Sequence, residues 1–463
     1  MVLGVALFVA VLLAPVPDAM SVAAWRVVAV GVLMATWWVT EAIPIPATSL
    51  LPLVLFPLLG ISPIAATAAP YANPVIFLFM GGFLIAAAWQ RTGMHLRMAL
   101  SIVQVGGMRP RRLVGSVMIA TAFISMWVNS TATTAMLLPV ALSIVALADD
   151  DGPRAANLAP ALLLGVAYSA SIGGLGTLIG TPPNALLAGF MAETHHRTIS
   201  FVDWMMIGVP LVLVVLPICW LLLTRVFFPL GNDEIAGGRA VVDRQLAALG
   251  RMTRAEWFTG VVTAVTALLW MTRPITNSVV PSLSDAGIAV GGALLLFMLP
   301  RGDGRRILDR EAIDQLPWGI LVLFGGGLAL AAGIQETGLA VWLGGSLRVL
   351  DHWPLVATVA VMATLIVFMS EFASNTAIAA AFLPVTAALG VAMGLDPIVL
   401  AVPTALAASG GFMMPVATPP NAMVYATNRV PRGRMMRVGF VLDVVMIAVV
   451  TLVTLVLVPM VFG

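Results

Sequence analysis

Thr181-Pro182-Pro183-Asn184-Ala185 recurs 237 positions later as Thr418-Pro419-Pro420-Asn421-Ala422. Thr caps helices, and Pro is tolerated in a first helical turn because the N–H it lacks has no partner there. Each stretch therefore predicts a helix start. Each also lies inside a long apolar run, about 156–190 and about 395–426. Upstream, Gly173-Gly174-Leu175-Gly176 and Ser409-Gly410-Gly411 loosen the backbone. Both runs thus read as spans broken at mid-length.

Working outward, a second pair of interruptions appears. Ser125-Met126-Trp127-Val128-Asn129-Ser130-Thr131-Ala132-Thr133 sits inside the apolar stretch of about 110–147. Its partner, Ser370-Glu371-Phe372-Ala373-Ser374-Asn375-Thr376-Ala377-Ile378, sits inside about 353–392. Ser, Asn and Thr again predict a turn followed by a helix N-terminus. An offset of 245 carries Ser125 onto Ser370, Thr131 onto Thr376, and Leu138-Pro139-Val140 onto Leu383-Pro384-Val385. The same offset aligns the block from Gly82 to Gly93 with the block from Gly327 to Gly338. Several blocks in one order imply an internal duplication.

The surroundings are those of a membrane protein. Of 463 residues, 60% are hydrophobic and 10% charged, with a mean hydropathy of +1.05. A soluble domain carries roughly 25% charged residues. This composition excludes a cytosolic enzyme, a disordered chain and a nucleic-acid binder. The basic residues are all Arg, and the net charge of +2 identifies no partner. The single cysteine, Cys219, lies in an apolar run and forms neither an internal disulfide nor a metal cluster.

Eleven apolar segments, near 2–16, 22–41, 46–60, 74–90, 156–190, 205–228, 256–272, 284–300, 317–335, 395–426 and 437–461, predict about 11 transmembrane helices in an all-α polytopic protein. The two stretches interrupted by Ser-Asn-Thr turns are expected to be re-entrant helical hairpins. With a cytoplasmic N-terminus and both hairpins re-entrant, all arginines fall on the inner side except Arg26, Arg197, Arg273 and Arg348. That asymmetry obeys the positive-inside rule and places the C-terminus outside. The chain then divides into an extra N-terminal span (1–21), a first repeat (22–228), a cytoplasmic linker (229–255) and a second repeat (256–463). Asn232 and Asp233 belong to the linker, which is expected to be helical over 239–250. Five spans and a hairpin per repeat turn the second copy upside down. Inverted repeats place a binding site at their interface near the midplane.

Four helix starts would then meet in one place. Their unpaired N–H groups suit an anion, and the carbonyls freed before each turn suit a small cation. No Arg, Lys or His occurs in the four motifs. An anion here must be held by amides, hydroxyls, carboxamides and co-bound cations. A single polar turn could simply join helices; four in related pairs point to a site.

These motifs, with Trp38-Val39-Thr40-Glu41-Ala42-Ile43-Pro44, resemble the divalent-anion/sodium symporter family (solute carrier family 13) over nearly the whole chain. The resemblance implies sodium as coupling ion and a small divalent organic anion as cargo, such as a C4-dicarboxylate or citrate. It implies a first sodium site of Ser125, Asn129, Ser130 and Gly180, and a second of Ser370, Ala373, Asn375 and Ala417. Substrate carboxylates would meet Ser130, Thr131, Asn375 and Thr376, with Thr181, Pro182, Thr418 and Pro419 behind them. It further implies a homodimer in a bacterial-type inner membrane, each protomer moving a transport domain as an elevator against a scaffold. One departure stands out. The second turn has the family's Ser374-Asn375-Thr376, whereas the first reads Asn129-Ser130-Thr131, with Ser and Asn exchanged.

Other readings stay open at this point. Sodium-independent exchange and sulfate symport fit the same motifs. An intramembrane enzyme has no His-Glu-x-x-His or Gly-x-Ser-x-Gly to support it, and inverted repeats with broken spans speak against a channel. Glu371, an acid inside a membrane segment, could carry a proton or pair with backbone amides. Glu41 reads as interfacial or capping, Trp37 and Trp38 as interfacial packing, and His195 and His196 as part of an outer loop.

Overall fold

The computed structural model describes residues 1–148, 155–231, 234–235, 237–302, 304–346 and 353–463. Arg154, Arg348, Asn232 and Asp233 lie outside them. The described residues form helices, with one isolated bridge between Pro300 and Arg306. The chain opens with α1 (Val2–Leu13), α2 (Val22–Thr40), α3 (Ile45–Thr48), α4 (Leu51–Leu58) and α5 (Ile64–Ala68). Next come α6 (Pro74–Thr92), α7 (Met94–Gly106), α8 (Pro110–Ser125), α9 (Ser130–Ala148), α10 (Ala155–Gly174), α11 (Pro182–His195) and α12 (Phe201–Leu221). The linker carries α13 (Gly238–Ala248). Then follow α14 (Arg254–Thr276), α15 (Asp285–Met298), α16 (Arg310–Asp314), α17 (Trp318–Glu336) and α18 (Leu339–Ser346). The last are α19 (Leu355–Ser370), α20 (Asn375–Ala392), α21 (Ile398–Ala408), α22 (Pro419–Ala426) and α23 (Arg432–Phe462).

Among the described residues, nine helical segments are long and apolar enough to cross a membrane. The remaining apolar helices are shorter, and the differences from the expected spans have local causes. The segment 46–60 is two short helices, α3 and α4, in a stretch punctuated by Pro44, Pro46, Pro52 and Pro57. The residues between 90 and 110 form α7, an amphipathic helix burying His95, Ala99, Leu100 and Val103. His195 is the last residue of α11, not part of a loop; its ring meets Phe190 edge-on, while His196 makes the left-handed C-cap. Glu41 caps α2 from the same conformation. Trp38 is fully buried and donates to Ser49 Oγ.

Packing sorts the helices into two groups. In one, α6 lies against α14 and α15, while α2 and α17 pack with α3 and α4. In the other, α8–α12 interlock with α19–α23. Here α10 is central, with 94% of Asn157–Gly174 buried. Ion pairs tie together residues that the sequence placed at one end: Arg91 binds Asp309, and Arg97 binds Glu256 and the carbonyls of Leu249 and Gly250. A separate set joins residues expected at the other end. Arg273 binds Asp285, and Arg197 meets Asp396 and the Phe462 carbonyl.

Candidate functional site

The motifs come together through crossed packing. The Thr181-Pro182 helix α11, from the first half, packs on α20, which begins at Asn375. The Thr418-Pro419 helix α22, from the second half, packs on α9, which begins at Ser130. Thr181 Oγ1 lies 3.3 Å from Ser409 Oγ, a direct contact between halves.

Each unwound segment is braced by its own asparagine. Asn184 Nδ2 donates to the carbonyls of Thr177 (2.8 Å) and Gly174 (3.2 Å). Asn421 Nδ2 donates to the carbonyls of Met414 (3.1 Å) and Phe412 (3.4 Å). The first bond of each pair recurs at the 237-residue offset. Both asparagines are fully buried, and alternative bonding by their amides explains why the Thr-Pro-Pro-Asn motif ends on Asn. Glycines let the segments approach. A methyl on Gly173 would sit 2.3 Å from the Ala122 carbonyl oxygen and 2.5 Å from its Cα. Gly173→Ala must therefore separate α8 from α10, at a cost of about 1–3 kcal/mol. A lower melting temperature in detergent is expected, and an unchanged one would show that this contact does not hold the fold.

The two turn-flanking hydroxyls both donate to carbonyls of their surroundings. Ser125 donates to the Ala170 carbonyl (2.5 Å), and Ser370 to the Val367 carbonyl (2.8 Å). With its proton directed away, each hydroxyl oxygen has lone pairs left for a hard ion. At the second turn, a methyl on Gly411 would lie 3.0 Å from Ser370 Oγ and 3.4 Å from Ala417 Cβ, so two expected ligands flank one spot. At the first, Gly180 lies against Gly174.

The two Asn residues of the turns differ. Asn129 Oδ1 accepts from Ala132 N (2.8 Å) and its carbonyl from Thr133 N (3.0 Å), so this residue caps α9. Asn375 Oδ1 is buried without a hydrogen-bond partner. An orphan of this kind costs roughly 1–3 kcal/mol, which a cation or a ligand donor would recover. Neither Ser374 at α20 nor Thr181 at α11 caps its helix by its side chain, whereas Thr418 accepts from Asn421 N. Two adjacent helices, one from each half, thus present uncapped N-termini. Thr376 and Thr418 are buried, while Thr131 and Pro419 lie at the exposed margin. Hydroxyls, carbonyls and a spare carboxamide oxygen fit sodium. Among the described residues, no three His, Cys, Asp or Glu side chains cluster as a transition-metal site.

Some contributors escaped the sequence reading. Thr177 Oγ1 donates to the Met126 carbonyl (2.5 Å), and Trp204 Nε1 to the Leu175 carbonyl (3.0 Å). Asp443, in the last helix, accepts from Phe412 N (3.0 Å). An acid in an apolar span is itself a signal, and Asp443 was legible on that ground. Glu371 pairs with backbone amides, its two oxygens accepting from Met413 N (2.9 Å) and Met414 N (2.5 Å). A crevice of about 410 Å³ between α11/α20 and α17/α18 is lined by Thr194, His195, Gln335 and Pro384 and holds none of the predicted site residues.

Comparison with known proteins gives the family of the chain. The family described as "Sodium:sulfate symporter transmembrane region" matches residues 1–462. A sodium-dependent dicarboxylate transporter, SdcS, of Staphylococcus saprophyticus is 40% identical, covering 100% of this chain and 92% of the relative. Its namesake in Staphylococcus aureus MRSA252 is 39% identical, with coverage of 100% and 91%. Among solved structures, the Alcanivorax borkumensis YdaH transporter aligns with a TM-score of 0.61 at 16% identity, covering 92% of this chain and 98% of that one. Neisseria gonorrhoeae MtrF aligns at 0.56 and 14%, covering 94% and 95%. At such identities these two speak for the fold alone. With motif-bearing turns packed among the helices of a membrane-type body and a full-length family match, the chain belongs to the sodium:sulfate symporter family and is a transporter, not an enzyme.

Proposed function

We propose that this protein imports C4-dicarboxylates, such as succinate, malate or fumarate, together with sodium, by elevator-type alternating access. The observation that carries the reading is Asn375 Oδ1, buried and unpartnered beside the uncapped starts of α20 and α11. A dianion without basic partners faces a large desolvation cost, and co-bound cations remove most of its net charge. Sodium at Ser125, Asn129, Ser130 and Gly180, and at Ser370, Ala373, Asn375 and Ala417, would order the two turns before the dianion binds across them. The full-length relatives named for sodium-dependent dicarboxylate transport support this choice of ion and cargo.

Alternating access is supported by an asymmetry. The arm α20 packs on α2 and α17 of the other group, and on α18. Its counterpart α9 touches α7 only at the margin, and among the described residues has no comparable seam with α6 or α14. In an inverted-repeat carrier this difference marks one end closed and the other open. With the arginine layout, the closed end is outside and the present state faces inward. The membrane arrangement is that of 11 spans with two re-entrant hairpins, in a homodimer.

Purified protein in liposomes is expected to accumulate labelled succinate when sodium is high outside, and not when sodium is replaced by choline. Uptake indifferent to sodium but dependent on internal dicarboxylate would replace symport by exchange. Exchange is favoured by one observation: Asn129 caps α9, so the first turn offers the Ser130 hydroxyl where the family has a carboxamide.

A further inference from the structure

Three neighbouring helices each carry a stripe of exposed apolar side chains that ends in an arginine. On α8 the stripe is Arg112, Ile119 and Phe123, and on α23 it is Arg437, Phe440 and Val444. On α12 it is Val214 and Leu221, continued by Arg225 in the π-helical turn Leu222–Phe227 that extends this helix. Steps of three, four and seven residues keep each set on one helix face.

Packing brings the three arginine-bearing ends together. The helix α12 lies against both α8 and α23. Just over one turn before Arg225, Trp220 Nε1 donates to the Arg111 carbonyl (2.9 Å), in the first turn of α8. Three residues after Arg225, the centre of the Phe228 ring lies 5.9 Å from the guanidinium carbon of Arg434, in the first turn of α23. Arg112, Arg225, Arg434 and Arg437 therefore share one end of this helix group, and all four are exposed. The arginine layout puts that end inside.

Four other arginines that the layout puts on the same side are paired. Arg91 binds Asp309, Arg97 binds Glu256, Arg239 faces Asp243, and Arg310 faces Asp314. Among the described residues, no carboxylate lies within ion-pair distance of Arg112, Arg225, Arg434 or Arg437. Like charges gathered without an internal counter-charge repel one another, so the counter-charge comes from outside the chain.

The stripes decide its kind. A water-soluble anion has no use for the apolar surface beside the charges. A phospholipid supplies both parts: acyl chains along the exposed apolar side chains, and a phosphate at the level of the guanidinium groups. Guanidinium matches phosphate oxygens with paired N–H donors. Its alkyl stem lies along apolar surface while its head reaches the interface. Clustered basic residues at the inner ends of membrane helices are suited to anionic headgroups.

We infer that the adjoining ends of α8, α12 and α23 form a binding surface for the headgroups of anionic phospholipids. A zwitterionic headgroup brings its own cation and neutralises no net charge here. The inference requires only that these helix faces meet lipid, and it stands or falls independently of sodium coupling.

The test titrates the full-length protein in detergent with phosphatidylglycerol or with phosphatidylcholine of the same acyl chains, and counts retained lipids by native mass spectrometry. The wild type is expected to hold phosphatidylglycerol about tenfold or more tightly than phosphatidylcholine. Each basic residue near an anionic lipid surface contributes about fivefold. The triple variant Arg112→Gln/Arg225→Gln/Arg437→Gln should thus hold phosphatidylglycerol about a hundredfold more weakly, with phosphatidylcholine unaffected. Arg239→Gln/Arg310→Gln removes charge at ion-paired positions of the same predicted side and should leave both lipids as in the wild type. A comparable loss in that double variant would reduce the effect to net charge and overturn the inference. Equal wild-type affinity for the two lipids would overturn it as well. Displacement of phosphatidylglycerol by an equal concentration of inorganic phosphate would make this a site for a soluble anion, with the same consequence. Should the triple variant fail to fold, Arg225→Gln alone decides: about fivefold weaker retention is expected, and unchanged retention refutes the surface.

Discussion

Asn375→Ala is expected to abolish sodium-driven dicarboxylate uptake without unfolding the protein. The carboxamide oxygen of Asn375 has no internal partner, so removing it costs the unliganded fold almost nothing. On the proposed reading, its contacts to charged groups form only when sodium and the dianion bind. Losing hydrogen bonds to charged groups costs about 3 kcal/mol, roughly a hundredfold in uptake at subsaturating substrate. The melting temperature in sodium-free detergent should equal that of the wild type, while the stabilisation caused by added sodium is lost. Normal uptake by this variant would refute the assignment of the second turn. Asn421→Ala should behave in the opposite way, because Asn421 braces two carbonyls of the empty fold.

A disulfide between α17 and α20 is expected to stop transport reversibly. A methyl on Gly327 would lie 3.3 Å from Ala380 Cβ, within reach of a disulfide's usual Cβ separation of about 3.5–4.5 Å. In a Gly327→Cys/Ala380→Cys double variant lacking Cys219, oxidation should reduce uptake to background, and a thiol reductant should restore it. Either single variant should be insensitive to oxidant. The physical reason is that α20 carries Asn375 and Thr376, whereas α17 belongs to the other packing group. A cross-linked protein that still transports at the uncross-linked rate would show that this seam does not move, and elevator motion would fall with it.

Much of the site was legible because its signals are local. Cap residues and prolines mark helix starts within three or four positions, and Thr181, Thr418, Asn129 and Ser374 stand where α11, α22, α9 and α20 begin. The linker helix α13 was expected over nearly its observed length. The helix α7 gives no continuous apolar run, because its apolar residues are spaced along one face and Arg97 and Gln104 dilute it. The short α3 and α4 read as one span by hydropathy, which averages over the prolines that break it.

The sequence by itself determined that this chain lives in a membrane, that its motifs recur at fixed offsets, and that four polar helix starts come in matched pairs. Those are properties of composition, offset and capping chemistry. Only the tertiary structure decided which polar atoms remain free. Asn129 and Asn375 are the same residue type in related turns, yet one is engaged by Ala132 and Thr133 while the other is spare. Glu371 binds amides 42 and 43 residues away, and Thr181 meets Ser409 across 228 residues. A hydrogen-bonding group is defined by its partner's position, and for these groups the partner is set by long-range packing.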